Sequence, residues 1–438
     1  MSRRVVITGV GAVTPFGVGA DALWEGLLSG ESRLAPIQRF DASAFRSSLA
    51  GEVKDFAAKD FVPKSYRKAV KVMARDIELA VGAAKCAVED AGILTKGILP
   101  EGEEGTPTYD GSRVGCHIGA GLIAAETDEL TGALATAVAP GGDFDLKTWG
   151  ERGMQNLQPL WLLKYLPNML ACHVTIIHDA RGPSNTITCA EASGLLSIGE
   201  SLRVIERGDA DICFSGGAES KVNLMGLIRM DLAGRLAPTH SERDGSKCVR
   251  PYDTEAQGGI IGEGGGIVML ESAETAAARG AKPYAEVAGF GAGHSPRSDD
   301  PQERAEGLIA AIESALEDAA ISPDAIDAIV PHASGIREVD SEEASAFARV
   351  FGKRLGDIPL ITLTPSIGDL MAGSGGVAAG VGAMCVRRQA LPARLHAGRP
   401  ATGLRAEASG QRDARLTHVL VCTNALGGQN AALVLKAV

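Results

Sequence analysis

Short β-branched runs, each closed by small residues, alternate with longer Ala/Leu-rich stretches of helical period along the whole 438-residue chain. That alternation restricts the chain to an α/β fold with a largely parallel sheet. Strands are expected at 4–8, 114–118, 185–188, 210–215, 266–270, 284–289, 325–331, 360–362 and 418–422, with a closing 431–435. Helices are expected at 21–28, 68–90, 193–207, 305–319, 341–351 and 373–388. The two parts of the chain rhyme: strand-then-glycine turns at 116–119 and 215–219 have counterparts at 332–335 and 424–428. An internal duplication with its seam near 271–283 explains this, dividing the chain into an N-terminal half, 1–271, and a C-terminal half, 272–438. Segment 139–160, with Pro140-Gly-Gly-Asp143, is polar and glycine-rich and reads as a surface excursion.

Composition narrows the function classes. With 55 glycines and only 4% aromatic residues, close backbone packing must shape much of the core. A net charge of -11 argues against nucleic-acid binding, which needs a basic footprint. No apolar run is long enough to cross a membrane, and the opening residues run straight into a strand, so a cytoplasmic protein without a signal peptide is expected. The eight cysteines, at 86, 116, 172, 189, 213, 248, 385 and 422, contain no Cys-x-x-Cys pair and read as reduced and buried. His117, His173, His178, His240, His294, His396 and His418 show no ligand-like spacing, so no metal site is expected. The Gly9-Val-Gly11 turn lacks the third glycine of a dinucleotide fingerprint, so no nicotinamide cofactor is expected either.

Chemistry concentrates around Arg181-Gly-Pro-Ser184, a short strand, then Thr188-Cys189-Ala-Glu191-Ala-Ser193-Gly194, an apolar helix and Gly208-Asp-Ala-Asp211. Read locally, Thr188-x-x-Glu191 has the form of a capping box at a helix start, with Glu191 as cap and pocket filler. Two other readings stand beside it: a carboxylate that mimics an acylated state, and an acid/base group. Cys189 is either a nucleophile or a small buried apolar residue. His332, at the end of an apolar strand, could pair with Asp369, or be a pocket histidine held by backbone bonds.

This segment, with four further blocks in order, resembles the elongating β-ketoacyl-(acyl carrier protein) synthases. The other blocks are Arg3-Arg-Val-Val-Ile-Thr-Gly9, Trp24–Gly30 with Phe40–Phe45, Asn168–His173, and Arg250-Pro-Tyr-Asp253 followed by Gly262-Glu-Gly264. The resemblance covers nearly the whole chain. It implies a thiolase-like duplicated fold: two related halves, each a five-stranded mixed sheet packed with helices in α-β-α-β-α layers. It also implies an acyl carrier protein as partner, whose phosphopantetheine arm delivers substrate, and no other cofactor. A homodimer, or a heterodimer with an active ketosynthase, follows from the same likeness.

The family's catalytic set is a cysteine and two histidines. Without gaps, the cysteine falls on Glu191, the first histidine on His332 and the second on Asp369. Thr364 stands where the family has a lysine, Asn424 where it has a gating phenylalanine, and Asp340 keeps its place. A carboxylate cannot form the thioester this chemistry uses. The pattern resembles chain-length factors of type II polyketide systems, which keep the fold, lose the cysteine and pair with an active ketosynthase. The alternative is an active malonyl-carrier decarboxylase, acyltransferase or condensing enzyme using His332 and Cys189.

Overall fold

The computed structural model describes residues 3–99, 105–239, 242–395, 398–401 and 403–438; His240 and His396 therefore lie outside the described residues. The main sheet is built from β1 (Val5–Thr14), β2 (Val114–Gly119), β3 (Ser184–Ile187), β4 (Ile212–Ser220), β5 (Glu263–Ser272), β6 (Ala285–His294), β7 (Ala328–Val330), β8 (His418–Asn424) and β9 (Gln429–Lys436). Their order is β7-β8-β9-β6-β1-β5-β4-β2-β3.

The duplication is legible in the pairing. From β1 outward, the neighbours β5, β4, β2 and β3 pair antiparallel, antiparallel, parallel and parallel. From β6 outward, β9, β8, β7 and a bridge at Leu360 repeat that series in the same chain order. The expected strand 360–362 is thus reduced to a single bridge, Leu360 to Ile329. In the main sheet the two units join through Val6↔Glu286 and Ile7↔Ala285.

Side chains alternate across each strand, so neighbours feed different cores. Val268 and Leu270 enter the central cluster, while Ile267 and Met269 enter the N-terminal outer one. Val419 and Val421 face the centre, while Leu420 and Cys422 face the C-terminal outer cluster. The helices that matter for the site are α1 (Arg75–Asp90), α2 (Ser193–Glu206), α3 (Leu224–Leu232), α4 (Pro301–Asp318), α5 (Arg337–Phe351) and α6 (Ser374–Arg388). Helices α2 and α6 form the central layer, α1 covers one outer face, and α4 and α5 cover the other. Helix α6 is buried on all sides from Gly375 to Val386, as an all-apolar helix must be. Its first turn crosses that of α2 closely: a Cβ on Gly375 would stand 2.5 Å from the Leu195 nitrogen. The two central helices therefore begin side by side, and that crossing sets the floor of the site.

Two local expectations need correction. The single helix over 68–90 is interrupted: Lys64–Val72 is a 3-10 helix, and extended Met73 separates it from α1. Segment 139–160 is the expected surface excursion, largely exposed, and carries helix Leu146–Glu151 and 3-10 turn Gly153–Asn156. Only Cys116, Cys213, Cys385 and Cys422 are buried; the other four cysteines are half-buried, and none is bonded to another.

Candidate functional site

Strand β3 stops at Ile187, and the chain then turns sharply because Ala190 adopts φ +47°. The turn is locked by Ser193, whose Oγ accepts from Cys189 N at 2.8 Å and donates to Ala190 O at 2.6 Å. The capping box expected of Thr188 and Glu191 does not form, and the Glu191 carboxylate points elsewhere. Its Oε1 lies 2.5 Å from Arg235 Nη2, and its Oε2 accepts from the Leu426 amide at 3.3 Å. Glu191 is 0% exposed and the Arg235 side chain 6%. A carboxylate so buried requires a charge partner, and Arg235 is that partner.

Arg235 was not singled out in the sequence, where a lone arginine in Gly234-Arg-Leu-Ala237 carries no motif. It follows α3 through a turn made by Gly234 at φ +68°. Its own N–H donates to Met230 O and its carbonyl accepts from Gly259 N, which fixes where the side chain departs.

The second pair is His332 with Asp369. Nε2 stands 3.5 Å from Asp369 Oδ2, an ion-pair contact without hydrogen-bond geometry. Asp369 Oδ1 accepts from Met371 N at 2.8 Å and Ser374 Oγ at 3.2 Å, at the start of α6. Burial pushes the Asp369 carboxyl up, but His332, Arg235 and the Met371 amide outweigh it and hold the group below the usual carboxylate range. Burial pushes His332 down, but Asp369, then Glu191 and Glu343, raise it to about 9. The four groups thus sort into two buried pairs.

The His332 loop is held from behind by α5. Glu343 accepts from His332 N at 2.9 Å, Ala333 N at 3.0 Å and Tyr252 Oη at 2.6 Å. Asp340 accepts from Ser334 Oγ at 2.9 Å and from the Gly335 and Tyr252 amides, and burial raises it to about 7. Thr364 Oγ1 donates to Ala333 O, so the threonine ties the same loop from the other side. Three non-glycine residues with positive φ, Ala190, Ala333 and Met371, stand within two residues of Glu191, His332 and Asp369. Backbone strain of this kind persists where surrounding structure over-determines it.

Asn424, 8% exposed, has an Oδ1 without a hydrogen-bond partner. With Arg235, Leu426 and Asn430 it lines an open cavity of about 690 Å³ outside the ion pairs. A larger cavity, about 1000 Å³, opens over Pro238, Lys247, Arg250 and Arg337 and contains none of the paired residues. Cys189 is half-buried, and burial alone pushes its thiol up. Among the described residues no cation offsets that shift, whereas cations or a helix N-terminus lower the pKa of reactive cysteines. Among the described residues no cluster of histidine, cysteine or carboxylate could hold a metal ion, and no helix is long and apolar enough to cross a membrane.

Two family profiles match the chain in succession: the β-ketoacyl synthase N-terminal domain over residues 2–276 and its C-terminal domain over 284–398. Relatives include the 3-oxoacyl-[acyl-carrier-protein] synthase 2 of Staphylococcus aureus (strain COL), 30% identical over 438 residues, 99% of this chain and 98% of the relative. The same enzyme of Vibrio cholerae serotype O1 is 31% identical over 439 residues, 99% of each. Among solved structures, the ishigamide ketosynthase/chain length factor superposes with a TM-score of 0.82 at 27% identity over 100% of both chains. A type II polyketide ketosynthase in complex with its acyl-carrier protein gives 0.82 at 24% identity over 100% of both, a likeness of fold alone. The fold is thiolase-like, and with its whole length matched the chain belongs to the β-ketoacyl synthase family.

Proposed function

We propose that this chain is a non-condensing member of the family, which engages an acyl carrier protein and works as the partner of a cysteine-bearing ketosynthase in fatty-acid or polyketide assembly. The carrying observation is the buried Glu191–Arg235 pair at the nucleophile position. Acyl transfer there needs a thiolate exposed to a carrier thioester; here a carboxylate is sealed and already neutralised. The loss of the second histidine to Asp369 removes a neutral hydrogen-bond donor from the same pocket and substitutes an anion.

The partner reading draws on the surface. Strand β3 ends the sheet with Ser184 and Asn185 exposed, and unpaired strand edges invite pairing with another chain. Leu134, Val138, Phe144, Leu146, Leu160 and Leu162 are exposed on segment 127–164, and exposed apolar side chains grouped on one segment suit a partner surface. The likeness to the ishigamide ketosynthase/chain length factor supports a pairing of unlike subunits.

Co-expression with a ketosynthase carrying the full Cys-His-His set tests this. A stable one-to-one complex that condenses carrier-bound acyl groups, while this chain alone does not, is the expected result. Condensation by this chain alone would refute the reading, as would a partner whose activity and mass are unaffected by it.

A further inference from the structure

We propose that the Arg235 guanidinium and the Leu426 amide form a carboxylate-binding site whose resident ligand is the chain's own Glu191. This inference rests on the ion pair and not on the partner reading, so each can fail without the other.

The geometry is that of a receptor. The two carboxylate oxygens are held separately, Oε1 by Arg235 Nη2 at 2.5 Å and Oε2 by the Leu426 N–H at 3.3 Å. Both donors belong to segments anchored independently of Glu191. Arg235 is fixed through Met230 and Gly259, and the 425–428 turn through the Ala425–Gln429 and Gly428–Ala425 backbone bonds. Removing the Glu191 side chain therefore leaves the donors in place with nothing to bind. Arg235 would then have lost the carboxylate that it pairs with. An unpaired buried guanidinium is costly, and the cheapest remedy is a small anion from solvent.

Chemistry also specifies the anion. Shortening Glu191 to alanine deletes its Cγ methylene and carboxylate, which together are the heavy atoms of an acetate ion. Acetate should fill the space, formate should bind but underfill it, and a longer or tetrahedral anion should be excluded by a pocket in which Glu191 is 0% exposed. Entry is available because Arg235 and Leu426 also line the 690 Å³ outer cavity, and Leu426 is exposed. In the natural protein the tethered Glu191 excludes free carboxylates and the carboxylate end of a carrier-borne diacid alike.

The test uses full-length Glu191→Ala and the double variant Glu191→Ala/Arg235→Ala. Melting temperature is followed against sodium acetate, formate and propionate, with chloride matched for ionic strength. The expected result is a saturable rise in Glu191→Ala, ordered acetate over formate over propionate, and no carboxylate-specific rise in the natural chain or the double variant. Calorimetric titration should show acetate binding weakened at least about tenfold by the added Arg235 change. Equal responses to acetate and chloride in Glu191→Ala, or an undiminished acetate response in the double variant, would overturn the proposal. Should Glu191→Ala fail to fold in chloride, its recovery as folded protein is the readout. Recovery with acetate and not chloride supports the site, and failure with both refutes it.

Discussion

Arg235→Met isolates the energetic role of the buried pair. At the 2.5 Å separation of Arg235 and Glu191, Coulomb attraction with an effective dielectric of 20 is roughly 7 kcal/mol. Desolvating two ions costs several kcal/mol each, so the pair as a whole is close to break-even against apolar side chains of the same size. Removing one partner is a different matter. The variant would leave Glu191 buried with only the Leu426 N–H as donor, and the expected loss is about 3–5 kcal/mol. The double change Glu191→Leu/Arg235→Met should return most of that loss, ending within about 1 kcal/mol of the natural chain. Urea unfolding followed by two independent probes measures this, since a chain of this size must be shown to unfold in one step before midpoints become free energies. An Arg235→Met protein within about 0.5 kcal/mol of the natural one would refute the reasoning, as would a double variant whose loss equals the sum of the singles.

Other consequences follow from the same geometry. Asp369→Asn removes the main group raising His332, so its pKa should fall clearly from about 9, as read by imidazole carbon NMR. The raised His332 contributes stability below pH 6.5 that fades as pH rises through about 9, while depressed Asp369 contributes above its ordinary 3.8 and loses this in acid. The deficit of Asp369→Asn should therefore peak between those ordinary values and shrink toward alkaline pH, as a pH series of thermal melts will show. Glu343→Ala orphans the His332 and Ala333 amides and the Tyr252 hydroxyl, at about 1–3 kcal/mol each, and hydrogen exchange of the 332–335 loop should rise markedly. Gly376→Ala would set a Cβ 2.0 Å from Gly266 O, so soluble yield should collapse, whereas exposed Gly410 with no neighbour in reach should accept alanine with little change.

Fold and site were not equally legible. Alternating strands and helices betray themselves by local period, and the rhyme between 116–119 and 332–335 reflects a duplication that the mirrored pairing of β1–β5 and β6–β9 bears out. The break at Met73 is not legible in the sequence, because the apolar period on both sides is helical and only backbone geometry separates the 3-10 helix from α1. Glu191 stands out in the sequence, yet its partner Arg235 does not. Thr188 is close in sequence and made a capping box attractive, while Arg235, 44 residues away, is brought in by a turn that no periodicity marks. The Leu426 amide is a backbone donor and leaves no side-chain signal at all. Asp369 and His332 are legible as a pair because the family resemblance sets them at the two histidine positions, and they lie 3.5 Å apart.

The central claim is that no acyl group can be carried at the position of Glu191. Intact-protein and peptide mass spectrometry after incubation with acyl and malonyl carrier thioesters tests it directly, with released carbon dioxide measured in the same samples. The account predicts an unmodified chain at Glu191 and Cys189 and no loss of carbon dioxide. An acyl adduct on Cys189, or rapid decarboxylation lost in a His332→Ala variant, would contradict it and make this chain an enzyme in its own right.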